Sequence, residues 1–274
     1  VISLVLKLQY GLPYIVSLRG SDVPGYSERF TMIYRFLSPV IRYIWKRSGA
    51  VVSNSKGLKE LALRTNKQQE IDIIFNGIDV EHFRPKPESR PGGRFIITTG
   101  ASRVTHRKGL DHLIEAVSKL ASEYPDILLK IMGEGNAQKE LEEMVEKLGI
   151  KDQVRFLGRI PREETAPFYQ EASLFVLPSL NEGMSNALLE ALGAGLPILA
   201  TDTGGSKELV HEGENGFIIK MKDGADIAEK IRIFLDDPDK VSKMGSESRK
   251  IAEKMSWVSV AREYYELYGQ VKGS

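Results

Sequence analysis

Two carboxylates eight residues apart are the residues of this sequence that most suggest chemistry. Residues 181–195 read NEGMSNALLEALGAG, and Glu182 and Glu190 are the only charged residues among them. A buried charge without a partner is costly, so Glu190, in the middle of an apolar helical pattern, needs one. That partner is either another residue of the protein or a bound ligand.

The spacing of Glu182 and Glu190 limits what they can do together. With Glu182 in a loop and Glu190 in a helix, the two carboxylates are separated by roughly 8–12 Å. This is too far for one water or one metal ion to bridge, and it exceeds the roughly 5–5.5 Å of a retaining hydrolase pair. It suits two contacts along an elongated ligand whose anionic middle faces the helix N-terminus. The alternative is that Glu182 caps the helix and Glu190 pairs with a core arginine.

A basic loop is the second candidate site. Arg103, Arg107 and Lys108 follow a predicted strand and precede a helix that starts near Gly109. Backbone N–H groups at a helix start, together with Arg and Lys, suit a phosphate group. The loop has neither the GxGxxG pattern of dinucleotide-binding folds nor a Walker A sequence. A solvated basic loop without a ligand is the alternative.

Apolar patterns predict the elements that position these residues. Short β-branched runs that end at loops predict strands at 13–18, 50–53, 71–75, 95–99, 127–132, 154–157, 174–177, 197–200 and 216–219. Amphipathic patterns predict helices at about 55–66, 110–120, 136–148, 162–171, 185–194, 225–235, 239–254 and 257–268. Repeated strand–helix units of this length indicate doubly wound parallel sheets, which bind ligands at the carboxyl ends of their strands.

The stretch RPKPESRPGG at residues 84–93 has three prolines, two glycines and no periodicity, so it is predicted to be a linker. We therefore predict a partial first domain over 1–88 and a complete second domain over 94–255. A final helix over 256–274 is expected to pack back on the first domain. Because the first residues already resemble a helix end leading into a strand, the chain is expected to start inside a domain.

Composition excludes several classes of protein. The 274 residues are 42% hydrophobic and 27% charged, as in ordinary globular proteins. There is no cysteine, and the four histidines form no HxxxH or HxH pair, so we predict no disulfide and no metal site. Residues 1–93 carry 14 Lys and Arg against 8 Asp and Glu, and residues 94–274 carry 24 against 29. The excess of basic residues in 1–93 is modest, and the sequence contains no recognised nucleic-acid-binding module. No nucleic-acid partner is therefore expected.

Residues 29–47 interleave basic and aromatic side chains. Such a composition suits a helix that rests on anionic lipid, and it predicts an anionic membrane surface as a partner. The alternative is a core-facing pair of helices, broken at Pro39, with a solvated basic face.

In their order and spacing these motifs resemble glycosyltransferase family 4, retaining enzymes of the GT-B fold. The match covers nearly all of residues 10–270. It comprises Arg103 with Lys108-Gly109, Gly133-Glu134-Gly135, Pro178-Ser179, the Glu182–Glu190 pair, Gly195-Leu196-Pro197, Thr201-Asp202-Thr203-Gly204-Gly205 with Glu208-Leu209-Val210, and Asn215-Gly216-Phe217. The resemblance implies an α/β protein with two Rossmann-like doubly wound domains, the first one incomplete.

The resemblance also implies roles for individual residues. Arg103 and Lys108 hold the donor diphosphate and stabilise the leaving group, and Glu182 contacts the donor sugar. Glu190 accepts hydrogen bonds from the ribose hydroxyls, which makes a ligand its partner. Further donor contacts come from backbone groups of Gly183, Met184, Ser185 and Asn186, while Gly133, Glu134 and Gly135, with Arg159 and Ile160, flank the base.

The implied reaction is transfer of a sugar from a nucleotide-sugar to a hydroxyl acceptor, with retention and with neither metal nor cofactor. The setting it implies is cytoplasmic, peripheral at the inner face of the membrane. Many family members carry a His where this chain has Arg19 before Gly20, and Arg cannot act as a base at neutral pH. The family's first strands and glycine-rich loop lie upstream of the first residue. Two alternatives therefore stay open: a non-catalytic nucleotide-binding fragment and a GT-B-like nucleotide-sugar epimerase.

Overall fold

The computed structural model describes residues 2–26, 31–90, 92–100 and 103–273. These residues form two units. Unit one comprises Val1–Gly77 and Trp257–Ser274, and unit two comprises Ile78–Ser256.

Unit one contains a three-stranded parallel sheet with helices. Its strands, in the spatial order β1-β2-β3, are β1 (Ile15–Leu18), β2 (Ala50–Ser53) and β3 (Asp72–Ile73). Its helices are α1 (Ile2–Tyr10), α2 (Thr31–Arg47), α3 (Lys56–Thr65) and, at the end of the chain, α11 (Trp257–Gly273). Val260 of α11 packs with Val52 and Ile74 of the sheet region, so α11 completes the core of this unit.

Helix α2 runs without a break through Pro39, so the predicted pair of helices broken at that residue is wrong. A proline removes one backbone N–H from the helix ladder, which weakens a helix but does not always end it. Here Ile41, Ile44 and Trp45 of α2 lie in the core of unit one and stabilise the helix by burial.

Unit two is a six-stranded parallel sheet in the spatial order β6-β5-β4-β7-β8-β9. The strands are β4 (Phe95–Gly100), β5 (Ile127–Met132), β6 (Val154–Phe156), β7 (Leu174–Leu177), β8 (Ile198–Thr201) and β9 (Gly216–Ile219). The helices are α4 (Leu110–Leu120), α5 (Gln138–Lys147), α6 (Ala166–Gln170), α7 (Asn186–Gly193), α8 (Ser206–Leu209), α9 (Gly224–Asp236) and α10 (Asp239–Lys254). The predicted doubly wound parallel sheet is confirmed for this unit.

The strand order explains where a ligand would bind. After β4 the chain first adds strands on one side, and β7 then pairs with the other side of β4. The loops that leave β4 and β7 therefore diverge, which opens a crevice at the carboxyl ends of these two strands. The basic loop follows β4 and the Glu182 loop follows β7, so both candidate sites lie beside this crevice.

Two predicted segments differ in the structure. The expected helix at 162–171 is a 3-10 helix, Arg162–Glu164, followed by α6, because Pro167 occupies the first turn of a new helix. The expected linker at 84–93 lies in unit two, whose boundary falls at Gly77. Within it, Gln170 donates a hydrogen bond to the carbonyl of Arg84 at 3.0 Å.

Candidate functional site

A left-handed glycine shapes the basic loop after β4. Gly109 has φ +61° and joins a 3-10 helix, His106–Lys108, to α4. A Cβ at this position would overlap the carbonyl oxygen of Pro178. The Leu180 N–H donates to the carbonyl of Arg107 at 2.8 Å, which ties the two crevice loops together. The position of Lys108 is therefore set by backbone contacts between the loops.

The glycine turn after β5 is tied to the same basic loop. Val104 N–H donates to the carbonyl of Glu134 at 2.9 Å, and Ala137 N–H donates to the carbonyl of Val104 at 3.2 Å. A Cβ on Gly135 would overlap the backbone of Val104. Only glycine therefore lets the turn approach the loop this closely.

The loop after β7 holds Glu182 against Lys108. Their side chains form an ion pair in which Lys108 is 22% and Glu182 14% exposed, and the Ser179 hydroxyl also donates to Glu182, at 2.9 Å. A Cβ on Gly204 would overlap the carbonyl oxygen of Glu182, so a second glycine supports this loop. Ser185, not Glu182, caps α7 by accepting a hydrogen bond from Leu188 N–H. The alternative that Glu182 caps the helix is wrong.

Glu190 has two protein partners. Arg162 donates its Nε–H to one carboxylate oxygen at 2.9 Å, and the Tyr169 hydroxyl donates to the other at 3.0 Å. The expectation that a ligand is the partner of Glu190 therefore needs correction, because an arginine supplies the charge. Neither Arg162 nor Tyr169 was singled out from the sequence, since they are 28 and 21 residues away from Glu190. The sequence indicated only that a carboxylate in an apolar helix needs a cation, and it did not indicate which residue supplies that cation.

Burial dominates the electrostatics around Glu190. Desolvation raises its pKa, although Arg162 and the hydrogen bond from Tyr169 oppose the shift. Burial, reinforced by the nearby Glu190 charge, also raises the pKa of Tyr169 well above its ordinary value. Tyr169 is therefore a neutral hydrogen-bond donor at neutral pH.

We expect Glu190→Gln to make the protein more stable at pH 7 to 8. A carboxyl whose pKa is raised on folding contributes stability below its unfolded pKa, ordinarily 4.5, and that contribution is lost as pH rises through the folded pKa. Gln cannot ionise, so the gain of the variant over the original chain should shrink below about pH 4.5.

Urea denaturation at several pH values measures this difference. Glu164→Gln, which changes an exposed carboxylate two residues after Arg162, is the control and should show no such pH-dependent gain. The measured quantity is the difference in free energy of unfolding between Glu190→Gln and the original chain. A difference that favours the variant less at pH 8 than at pH 4 would contradict a raised pKa of Glu190.

One pocket of unit two, with a volume of about 1340 Å³, brings most of the candidate residues together. Since small-molecule pockets are typically roughly 300–1,000 Å³, there is room for an elongated ligand. The predicted residues that line it are Arg103, Lys108, Gly133, Glu134, Gly135, Arg159, Ile160, Glu182, Met184, Ser185, Asn186 and Glu190. Gly183 is not among its lining residues. Arg162 and Tyr169 line it too.

The pocket has a cationic side and a carboxylate side. Arg103 is exposed and has no hydrogen-bond or ion-pair partner among residues 2–26, 31–90, 92–100 and 103–273, so its guanidinium can bind an anion. Lys108 adds an ammonium group that one carboxylate holds in place. The N-terminus of α7, which lines the pocket through Asn186 and Ala187, adds the positive end of the helix dipole. Glu190 supplies hydrogen-bond acceptors.

Arg19 and Gly20 lie in unit one. The Arg19 guanidinium donates to the side-chain oxygen of Asn76 at 2.6 Å and to the Tyr264 hydroxyl at 3.3 Å. Gly20 has φ +138°, and its N–H donates to Asp22 at 2.7 Å. Arg19 thus joins the end of β1 to α11, and its predicted acceptor-side role stays a prediction. Across the described chain, no group of three or more His, Cys, Asp and Glu side chains could hold a metal ion.

Comparisons with known proteins give consistent results. The family model for glycosyl transferases group 1 matches residues 79–251. D-inositol 3-phosphate glycosyltransferase of Streptomyces avermitilis is 31% identical over 216 residues, which are 73% of this chain and 46% of that protein. A glycosyltransferase of Methanocaldococcus jannaschii is 27% identical over 267 residues, 96% of this chain and 71% of that protein. The chain spans about half the length of the D-inositol 3-phosphate glycosyltransferases it matches.

Solved structures resemble the whole chain. Sucrose-phosphate synthase of Thermosynechococcus elongatus matches with a TM-score of 0.85 and 23% identity, over 99% of this chain and 71% of that one. Anabaena Alr3699/HepE, solved in complex with UDP, matches with a TM-score of 0.86 and 20% identity, over 98% of this chain and 75% of that one. Another structure of the Anabaena protein contains UDP-glucose and has a TM-score of 0.82.

Proposed function

From the premise that this chain belongs to the group 1 glycosyltransferases, we propose that its pocket binds a nucleoside-diphosphate sugar and that the protein transfers the sugar to a hydroxyl acceptor. The fold is α/β of the GT-B type, as predicted. The observation that carries the proposal is the single pocket in which Arg103, Lys108, the start of α7 and Glu190 meet.

The arrangement of charge supports a diphosphate between a sugar and a nucleoside. Arg103 and Lys108 supply two cations for the diphosphate, and the N-terminus of α7 adds the positive end of its helix dipole. Glu190 supplies acceptors for the ribose hydroxyls, and Arg159, with the turn at 133–135, lines the part of the pocket left for the base. Anabaena Alr3699/HepE, of the same fold, was solved with UDP and with UDP-glucose, which supports the same ligand class here.

We further propose that the transfer is metal-independent and retains the anomeric configuration. The bond between the anomeric carbon and the phosphate oxygen breaks, and a bond to the acceptor oxygen forms on the same face. The acceptor proton passes to the departing phosphate. Arg103 and Lys108 stabilise the charge that develops on the leaving diphosphate, and this stabilisation takes the part that a metal ion plays elsewhere. No cofactor takes part, since the nucleotide-sugar is a co-substrate.

Calorimetric titration with UDP, GDP and ADP, with and without Mg²⁺, tests this proposal. We expect one nucleotide to bind equally well in both conditions, and binding to be lost in Glu190→Ala and in the double variant Arg103→Ala/Lys108→Ala. Folding of each variant is checked by circular dichroism. Absence of binding by the folded chain, or binding that survives both substitutions, would refute the assigned site.

A finer proposal concerns the setting, which we infer to be cytoplasmic, at the inner face of a membrane. In α2, the apolar side chains of Met32, Ile33, Phe36 and Val40 are 73%, 53%, 77% and 49% exposed, and Arg35 and Arg42 lie among them. Exposed apolar and basic residues on one helix suit anionic phospholipid. Arg29 and Phe30 of the predicted segment lie outside the described residues. No helix of the described residues is long and apolar enough to span a bilayer.

We expect Met32→Ser/Phe36→Ser to lower co-sedimentation with phosphatidylglycerol vesicles at least several-fold. Each apolar side chain that moves from water into the lipid contributes about 1.5–3 kcal/mol to binding. The matched control is Val258→Ser/Tyr265→Ser, which changes two equally exposed side chains of α11. Equal recovery of the original chain with phosphatidylcholine and phosphatidylglycerol vesicles at low salt would rule this surface out.

A further inference from the structure

The carboxylate of Glu190 is held at both oxygens by side chains from two different elements. Arg162, in the 3-10 helix before α6, donates to one oxygen, and Tyr169, in α6, donates to the other. Each carboxylate oxygen has two acceptor positions, so each retains one for a further donor. Two adjacent hydroxyls, as in a ribose, match these two remaining positions.

The two holders differ in kind. Tyr169 is 1% exposed, and its hydroxyl packs so closely on Gly100 that a Cβ there would lie only 2.8 Å from it. Packing therefore fixes the Tyr169 side chain. It is also neutral, because burial raises its pKa. Arg162 has a side chain that is 53% exposed and lines the pocket. It is the only ion-pair partner of Glu190 in the part of the chain that the structure describes.

We propose that Arg162 is a positioning residue that keeps Glu190 ionised and oriented, so that Glu190 can accept hydrogen bonds from both ribose hydroxyls. The inference rests on the proposed function, in which Glu190 contacts the ribose. Burial opposes the charged form of Glu190, and a protonated carboxyl presents an O–H donor in place of one acceptor. Arg162 offsets that effect of burial and therefore extends nucleotide binding to lower pH.

Other charged groups lie near Glu190, but among the described residues none of them forms an ion pair with it. His82 lies close enough to act on Glu190 electrostatically, and its charge lowers the pKa of that carboxyl. Arg249 of α10 donates to the carbonyls of Val80 and Gly193. Lys108 is paired with Glu182. A His82→Gln background therefore removes the electrostatic effect of His82 on Glu190 and leaves that of Arg162.

A titration without ligand tests the hold of Arg162 on Glu190. The protein is labelled with ¹³C at the glutamate side-chain carboxyls, and the Glu190 signal is identified by its absence in Glu190→Gln. In Arg162→Gln we expect the titration midpoint of Glu190 to move up, and in Arg162→Lys, which keeps the charge, to move much less. Arg155→Gln, at an exposed arginine of β6, should leave it unchanged. An unchanged midpoint in Arg162→Gln would overturn the proposal.

Nucleotide affinity as a function of pH gives the second readout. With whichever of UDP, GDP and ADP binds the original chain, Arg162→Gln should weaken binding about tenfold at acidic pH, the size of one lost hydrogen bond to a charged group. The loss should shrink as pH rises, because a higher pH favours the ionised form of Glu190 even without Arg162. A merely structural role of Arg162 predicts the same loss at every pH and would count against the proposal. If none of the three nucleotides binds the original chain, the proposed function fails, while the carboxyl titration still decides what Arg162 does.

Discussion

Lys108→Met is expected to weaken binding of a nucleoside diphosphate about 10- to 100-fold and to leave the affinity for the nucleoside itself nearly unchanged. A hydrogen bond to a charged group contributes about 1.5–3 kcal/mol, and every 1.4 kcal/mol is a factor of ten. The loss is at the large end because Lys108 is only 22% exposed and is held by Glu182, so it loses little freedom when it binds. The substitution also removes the ion-pair partner of Glu182 beside the proposed position of the phosphates.

The control for this prediction is Arg107→Met, which removes an exposed cation from the same 3-10 helix. It keeps the backbone carbonyl that accepts from Leu180. Affinities for the diphosphate and for the nucleoside, measured by calorimetry, separate the phosphate contact from general damage to the pocket. Adding Glu182→Gln to Lys108→Met should recover part of the loss, because it removes the unpaired charge. Equal losses for nucleoside and diphosphate, or a similar loss in Arg107→Met, would contradict the role of Lys108.

Gly109→Ala is expected to destabilise unit two by about 3–5 kcal/mol, among the largest effects of any single substitution. A residue other than glycine at φ +61° costs about 1–2 kcal/mol. The remaining loss comes from the overlap of the new Cβ with the carbonyl oxygen of Pro178, which forces two backbone segments apart. Because these segments carry Lys108 and Glu182, nucleotide binding should fall with stability.

Gly149→Ala separates the two contributions. Gly149 has φ +70°, and no atom lies within 4 Å of the position its Cβ would take, so only the backbone cost of about 1–2 kcal/mol applies. Urea denaturation of the full chain, followed by far-ultraviolet circular dichroism, gives the free energies of unfolding of Gly109→Ala and Gly149→Ala. If Gly109→Ala costs no more than Gly149→Ala, the two loops do not approach each other as described.

Local patterns were sufficient for much of unit two. The strands at 127–132, 174–177 and 216–219 and the helices at 110–120 and 239–254 have the bounds that were predicted. In the two helices the apolar periodicity coincides with the buried face, and the strands are short apolar runs bounded by loops, so propensity and burial agree. At Pro39 helix propensity and burial conflict, and the expected break of the helix at this residue was wrong. Pro39 has a low helix propensity, but it lies inside a helix that the core of unit one stabilises.

The sequence by itself determined the α/β class, the order of the elements and the residue types available for a phosphate and a ribose. These follow from apolar periodicity and from motifs within short segments. Only the tertiary structure decided which side chains meet. Lys108 and Glu182 are 74 residues apart, and they pair because β7 lies next to β4. Arg162 lies in the 3-10 helix before α6 and pairs with Glu190, 28 residues further along the chain. Contacts of this kind depend on strand order and backbone path, which local patterns do not encode.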